Sequence, residues 1–141
     1  MFRVLERFDI AVAHAQHRNT PSSLAKWRLK LPDAFPQFNG GVILFRKSPK
    51  VIQLLEEWAN SYKEAELRHD QPTLRELLWL SDLRIATLPP EYNVRYLKYH
   101  FLWSRSEAVT KIFHLKQYHQ GWFLWFYSEA KRTIRKFFGI K

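Results

Sequence analysis

The stretch Phe38-Asn39-Gly40-Gly41-Val42-Ile43-Leu44-Phe45-Arg46 joins an Asn-Gly-Gly segment to a short apolar run. The run from Val42 contains β-branched residues and predicts a buried β-strand. Two consecutive glycines let the backbone approach a ligand closely or adopt a positive φ, and Asn39 offers both a hydrogen-bond donor and an acceptor. Taken alone, an ordinary Asn-Gly turn that leads into a strand explains these residues better than a binding site does.

Strands and helices alternate on both sides of this stretch. Apolar runs and helix-start signals predict strands over 8–14, 83–88 and 111–115 and helices that begin at Ser48-Pro49 and Asp70-Gln71-Pro72. The segment 16–37 contains three prolines and predicts an irregular loop, which at this length is usually functional or mobile. The alternation predicts an α/β fold, with a mixed sheet flanked by helices.

Composition excludes several classes of protein. The chain has 141 residues, 23 Lys+Arg against 13 Asp+Glu, a net charge of +10 and no cysteine. The absence of cysteine excludes a disulfide scaffold, a Cys-ligated zinc site, an iron–sulfur cluster and a cysteine nucleophile. Charged residues at the N-terminus argue against a secretion signal, and no apolar run reaches the roughly 18 residues that a membrane-spanning helix needs. These features favour a cytoplasmic protein.

Two further signals have a structural and a functional interpretation each. Asp70 precedes a helix, where a carboxylate caps free backbone N–H groups, and this explains it better when the residue is taken alone. Alternatively, Asp70 and Gln71 lie at the C-terminal edge of a sheet and hold sugar hydroxyls. His114 lies in an apolar segment, as a core residue with one hydrogen bond or as a ligand of Mn²⁺ or Zn²⁺.

Familiar catalytic motifs are absent from the sequence. It contains no GxGxxG, GxxxxGK[ST], GxSxG or HExxH motif and no Asp-x-Asp pair. These absences argue against dinucleotide binding, P-loop nucleotide binding, serine hydrolysis of the GxSxG type and zinc hydrolysis.

The order of the blocks is more specific than any one of them. Along the chain come Phe8-Asp9-Ile10-Ala11-Val12-Ala13-His14, then residues 38–46, Trp58, Asp70-Gln71-Pro72, residues 83–95 and Ile112-Phe113-His114. This succession, over 5–116, resembles the nucleotide-diphospho-sugar glycosyltransferases of the GT-A fold, and is most similar to the retaining, family-8-like branch and its bacterial relatives. The resemblance implies that 1–120 is the C-terminal portion of a GT-A domain, the side that binds the acceptor and the donor sugar.

The resemblance also implies roles for individual residues. Asn39, with Gly40 and Gly41, would lie beside the donor sugar and the acceptor, while Asp70 and Gln71 would hold the donor sugar near the reacting carbon. His114 would join the Asp-x-Asp carboxylates on a divalent metal, usually Mn²⁺, that bridges the nucleotide diphosphate. Asn93 matches a family position, without an assigned role.

One departure from the family is large. In the family, the half that binds the nucleoside and the Asp-x-Asp strand precede the strand that matches 8–14, and here Met1 falls just after that point. We therefore expect the 141-residue chain alone to have little or no transferase activity, and His114 alone to bind metal weakly. Mn²⁺-dependent transfer or hydrolysis of a UDP-sugar by the purified protein would contradict this. The implied partners are a nucleotide-sugar donor, a glycan or lipid-linked acceptor, and either a separate chain that supplies the missing half or a second copy of this one.

The C-terminal segment is strongly basic and aromatic. Residues 111–141 hold seven basic side chains and one acidic side chain. We predict an amphipathic helix over 121–141 that contacts the inner face of an anionic membrane through Trp122, Trp125, Lys131, Arg132, Arg135 and Lys136. Packing of this helix on the domain, or against a second subunit, is the alternative.

A non-enzymatic function is the competing interpretation of the whole chain. The net charge of +10 and the interleaved Trp and Tyr residues suit a basic module that binds nucleic acid. The lack of an RNP-like, KH or helix-turn-helix signature, and the core-like spacing of most aromatic residues, argue against it. A transferase-like protein that acts only as a partner or membrane adaptor is a third possibility.

Overall fold

The computed structural model describes residues 1–67 and 69–115. Backbone contacts group the chain into two compact units, Met1–Asn93 and Val94–Lys141, and each is described by itself. The helix predicted over 121–141 and its six membrane-contact residues lie outside the described residues. Among the described helices, none is long and apolar enough to cross a bilayer.

The first unit is built on a mixed sheet with a fully buried central strand. Its described strands are β1 (Ile10–His14), β2 (Phe38–Phe45) and β3 (Ile85–Leu88), in the order β2-β1-β3. β1 pairs antiparallel with β2 and parallel with β3. The continuous apolar run of β1 is the pattern expected of a strand covered on both faces. With its flanking helices, this sheet confirms the predicted α/β fold class, consistent with part of a nucleotide-sugar transferase fold.

Helices cover one face of the sheet. The helices on this face are α2 (Pro49–Glu64) and α3 (Gln71–Leu80); α1 (Pro21–Leu24) lies beside α3. The 3₁₀ helices Phe2–Glu6 and Pro90–Asn93 contribute residues that pack against a second core cluster. The predicted start of α2 is confirmed, because the Ser48 side chain accepts a hydrogen bond from the Val51 N–H at 3.4 Å. Leu54 of α2 and Leu74 and Leu78 of α3 pack against one side of the sheet. This second core cluster is formed by residues of all three strands: Ala11 and Ala13 of β1, Leu44 of β2, and Ala86 and Leu88 of β3.

The second unit differs from the prediction. The strand predicted over 111–115 is wrong, because the structure has only an isolated parallel bridge between Val94 and Phe113 there. The Val94 N–H donates to Ile112 O and the His114 N–H donates to Val94 O, each at 2.9 Å. The Phe113 side chain is 46% exposed, so this apolar segment does not have the buried faces of a core strand. A short helix, α4 (Leu97–Leu102), precedes it and was not predicted.

The loop predicted over 16–37 is not wholly irregular. It contains α1, whose first N–H groups are capped by Thr20: Thr20 Oγ1 accepts from the Ser23 N–H at 3.2 Å. The prolines and the short length of α1 explain why no helical periodicity marks this segment in the sequence.

Asp9 and Arg84, the residues directly before β1 and β3, hold the starts of these two strands together by hydrogen bonds. Asp9 Oδ2 accepts from the Arg84 N–H at 2.9 Å, and Oδ1 accepts from Arg84 Nη2 at 3.0 Å. These hydrogen bonds from Arg84 lower the pKa of Asp9 from 3.8 to about 2. Since the carboxyl has the lower pKa in the folded state, its contribution to stability is complete above pH 3.8 and is lost as the pH falls towards 2.

We therefore expect Asp9→Asn to reduce the acid sensitivity of folding. The free energy of unfolding, measured in urea at pH 7, 4 and 2.5, should fall less steeply with pH in the variant than in the wild type. Glu56→Gln, at an exposed position of α2, is the control and should keep the wild-type slope. Parallel pH profiles for wild type and Asp9→Asn would contradict the prediction.

Candidate functional site

A three-residue bulge in β2 lies at the centre of the candidate site. Residues 43–45 pair with Val12, Ala11 and Ile10, but the next pairs are Ala13 with Asn39 and His14 with Phe38. Gly40, Gly41 and Val42 therefore have no register partner on β1. Asn39 Oδ1 accepts from the Gly41 N–H at 3.0 Å and so closes the bulge with its own side chain. Bulges of this kind commonly redirect side chains next to active sites.

At Gly40 a larger residue would be crowded by neighbouring side chains, whereas the backbone conformation itself does not call for glycine. A Cβ on Gly40 would lie 3.1 Å from Trp58 Cη2 and 3.7 Å from Asp70 Oδ2. The first distance is tighter than an ordinary carbon–carbon contact. The bulge of β2, the indole of α2 and the carboxylate before α3 thus meet at one place. The structure brings Asn39, Gly40 and Asp70 together, and Gln71 follows Asp70 as the first residue of α3.

The capping interpretation of Asp70 is wrong. Asp70 occupies the N-cap position of α3, but its side chain makes no capping hydrogen bond. The physical reason is its backbone, with φ −83° and ψ −11°, whereas a capping residue has extended dihedrals that turn its side chain towards the first N–H groups. The carboxylate is half-buried beside Gly40 instead.

The backbone carbonyl of Asp70 is held from two sides. Trp58 Nε1–H donates to Asp70 O at 3.0 Å, and Thr73 Oγ1–H donates to the same oxygen at 2.8 Å. Thr73 is completely buried. Because both donors use the main-chain oxygen, they fix the position of Asp70 while leaving its carboxylate oxygens to other partners.

Asn93 holds the backbone at the start of the bulge by a hydrogen bond to Asn39, a role that sequence reasoning did not assign. Its side chain is completely buried, and Nδ2–H donates to Asn39 O at 3.5 Å. The only sequence signal was its position just after Pro89-Pro90-Glu91-Tyr92. An amide buried at the end of a turn is expected to hold a neighbouring backbone group.

His14 lies at the end of β1, beside the same bulge. It pairs with Phe38, and its Nδ1 is 3.0 Å from Ala15 O. Burial, with a smaller effect of the positive charge on Arg18, lowers the pKa of His14 below its usual value of 6.5. The imidazole is therefore mainly neutral at pH 7, and it can donate or accept a hydrogen bond beside Asn39.

Two charged residues of α3 hold the loop that precedes β2. Arg75 Nη2 donates to Pro32 O at 2.8 Å and to Phe35 O at 2.6 Å, and Nε donates to Pro36 O at 3.1 Å. Glu76 Oε2 accepts from the N–H groups of Arg28 and Leu29, both at 2.9 Å. Sequence reasoning missed these residues, although two charges between Leu74 and Leu77 on a core helix were the available signal.

The described residues do not fit a manganese centre. His114 belongs to the second unit, is half-buried, and donates its backbone N–H to Val94 O. Within residues 1–67 and 69–115, no group of three or more His, Cys, Asp or Glu side chains could hold a metal ion. A single imidazole does not provide the several oxygen or nitrogen donors that Mn²⁺ requires.

The mixed sheet with its flanking helices is consistent with part of a nucleotide-sugar transferase fold. The family model for nucleotide-diphospho-sugar transferases matches residues 1–120. The chain therefore belongs to the nucleotide-diphospho-sugar transferase family. No curated protein and no solved structure shows a significant match to it.

Proposed function

We propose that the chain is part of a glycosyltransferase and that Asn39, Gly40, Asp70 and Gln71, called here the donor-sugar edge, hold the sugar of a nucleotide-diphospho-sugar. The observation that carries the proposal is the position of Gly40 beside Asp70: a Cβ at Gly40 would lie 3.7 Å from Asp70 Oδ2. Because glycine has no side chain, the space beside this carboxylate stays open, and a carboxylate at an open space suits a ligand with hydroxyl groups. Gly41 belongs to the same bulge and is exposed.

The donor-sugar edge is assigned the role of orienting the sugar of the donor. During transfer, the bond between the anomeric carbon and the diphosphate oxygen breaks, its electron pair leaves with the diphosphate, and the acceptor hydroxyl oxygen bonds to that carbon. The Asp70 carboxylate accepts hydrogen bonds from sugar hydroxyls, and the Gln71 amide can both donate and accept them. Holding the ring in one position lowers the entropy cost of reaching the transition state. Retention of configuration, as in the family-8-like branch, is part of the proposal.

The remaining parts of the hypothesis rest on the sequence. Mn²⁺, which neutralises a leaving diphosphate when bound, would need ligands beyond the described residues, and no step is assigned to it. Little or no activity of the chain alone stays a prediction. Membrane contact stays a prediction too. It is supported by four basic side chains against one acidic side chain in 94–115 and by the exposed Phe101 and Leu102.

Gly40→Ala tests the donor-sugar edge against the control Asn60→Ala. The added methyl of Gly40→Ala would press on Trp58 and narrow the space beside Asp70. We expect it to weaken donor binding by about five- to tenfold, or about 1–1.4 kcal/mol, which is the lower part of the usual cost of overpacking. Asn60→Ala, at an exposed position of α2, is the control and should bind within about twofold of the wild type.

Binding is measured from the indole N–H signal of Trp58 in ¹H–¹⁵N spectra during titration with UDP-galactose or UDP-glucose. Titration with UDP alone separates the effect of the sugar from that of the nucleotide. Circular dichroism checks that both variants are folded. Equal affinities for Gly40→Ala and Asn60→Ala, or a Trp58 signal that no UDP-sugar moves, would contradict the proposal.

A further inference from the structure

Residues 24–30, called here the basic loop, combine positive charge with exposed apolar side chains. Their sequence is Leu24-Ala25-Lys26-Trp27-Arg28-Leu29-Lys30. The side chains of Lys26, Arg28 and Lys30 are exposed, and Leu24 and Leu29 are 59% and 43% exposed. No acidic residue occurs from 10 to 32, so the neighbouring sequence does not offset the three positive charges. This mixture of exposed cations and exposed leucines is typical of a surface that has a partner.

Two charged residues of α3 hold the backbone of the basic loop and of the segment that follows it. The N–H groups of Arg28 and Leu29 both donate to Glu76 Oε2 at 2.9 Å, and Glu76 is buried. The Arg75 guanidinium donates to three main-chain oxygens between 32 and 36. Because these hydrogen bonds fix the main chain, Leu29 stays at the surface, although its burial would be favourable in water.

Trp27 lies at the middle of the basic loop and is covered by its neighbour. The Arg28 guanidinium carbon lies 3.7 Å from the centre of the Trp27 ring, and the indole is half-buried. One face of the ring is therefore occupied and cannot stack on a nucleic-acid base. An indole beside a guanidinium suits the boundary between lipid headgroups and acyl chains, where the apolar ring and the charged group each lie in a favourable medium.

We propose that the basic loop docks on the surface of an anionic lipid bilayer. Leu24 and Leu29 enter the boundary of headgroups and acyl chains, while the three basic side chains contact lipid phosphates. Nucleic acid would also attract the cations, but it offers no apolar layer to the two leucines. The basic loop belongs to the first unit, and membrane contact through 121–141 is a separate prediction. The proposal does not depend on the donor-sugar edge, because the two share no residue.

A fluorescent label on Leu29→Cys tests the contact at the loop itself. The chain has no cysteine of its own, so the full chain takes up one nitrobenzoxadiazole label at this position. The labelled chain is titrated with vesicles of phosphatidylcholine, with and without about 30% phosphatidylglycerol. We expect the fluorescence to rise about twofold or more with the anionic vesicles alone, because this label brightens in apolar surroundings. Asn60→Cys, at an exposed position of α2, carries the control label and should not respond.

Two pairs of substitutions in the labelled chain test the role of charge. Lys26→Gln with Lys30→Gln should weaken the vesicle response about 10- to 30-fold, since each basic side chain near an anionic surface raises affinity about fivefold. Lys47→Gln with Lys63→Gln removes the same charge from exposed positions elsewhere in the first unit and should bind within about threefold of the parent chain. Circular dichroism checks folding, and Leu24→Cys carries the label if Leu29→Cys does not fold.

Three results would overturn the inference. Labels at Leu29 and Leu24 that anionic vesicles leave unchanged would show that the basic loop does not enter a bilayer. An equal loss in the two charge pairs would point to net charge rather than to this surface. A response to a single-stranded oligonucleotide, without one to vesicles, would assign the basic loop to nucleic acid. The UDP-sugar response at Trp58 tests the proposed function separately, so either can fail while the other stands.

Discussion

Replacing Asp70 with asparagine is expected to weaken donor-sugar binding by about 10- to 100-fold, because hydrogen bonds to a charged group contribute about 1.5–3 kcal/mol. The amide has the same shape but no charge. The hydrogen bonds from Trp58 and Thr73 end on the main-chain oxygen and are retained in the variant. The free energy of unfolding should therefore change little while the dissociation constant for UDP-galactose rises.

Asp82→Asn is the matched control for this substitution. Asp82 follows the other end of α3, and its side chain is exposed and paired with Lys50 at the surface. Exposed ion pairs contribute little to stability, so this variant should bind and fold like the wild type. Wild-type affinity in Asp70→Asn would remove Asp70 from the donor-sugar edge. An equal loss in both variants would point to a general effect of charge.

Arg75→Met is expected to lower the free energy of unfolding by about 2–3 kcal/mol, because one guanidinium satisfies three loop carbonyls. Methionine keeps much of the apolar stem but donates no hydrogen bond. Part of the stem's packing is retained, whereas the contact of the guanidinium carbon with the Phe35 ring, 5.6 Å from its centre, is lost.

Urea unfolding at pH 7 measures this effect, and hydrogen exchange locates it. Amide exchange should accelerate over the loop from 25 to 37 more than in β1. Arg105→Met, at an exposed position of the second unit, is the control and should change stability by less than about 0.5 kcal/mol. A similar small change in Arg75→Met would show that water replaces the guanidinium without loss.

Short residue patterns correctly predicted those helices and strands whose position depends mainly on residues close by in the sequence. Ser48-Pro49 specifies the start of α2 through one hydrogen bond and one fixed φ, and both act within a single turn. The run at 8–14 predicts a strand because burial on both faces requires apolar residues at consecutive positions. The strand at 111–115 has the same kind of composition, but a strand also needs neighbours, and composition does not contain that information.

The candidate site depends on contacts between residues far apart in the chain. No local pattern reveals that Gly40 faces Trp58 and Asp70, because these residues come from three different elements. The tie between Glu76 and the N–H groups of Arg28 and Leu29 spans nearly fifty positions. Taken alone, the sequence neighbours of Asp70 favour a helix cap, but they do not contain its backbone dihedrals or the hydrogen bonds from Trp58 and Thr73 to its main-chain oxygen. Family resemblance supplied the residues, and the structure supplied their proximity.

The bulge in β2 also bears on how such a site can change during evolution. It separates two registers, one for residues 43–45 and one for Phe38 and Asn39, so each half of the strand keeps its own pairing with β1. Elsewhere in a sheet, inserting or deleting one residue turns every following side chain to the opposite face. Here the unpaired Gly40, Gly41 and Val42 can absorb such a change in chain length. The length of the chain at the bulge can therefore change while the pairing of both halves of β2 with the buried strand β1 stays the same.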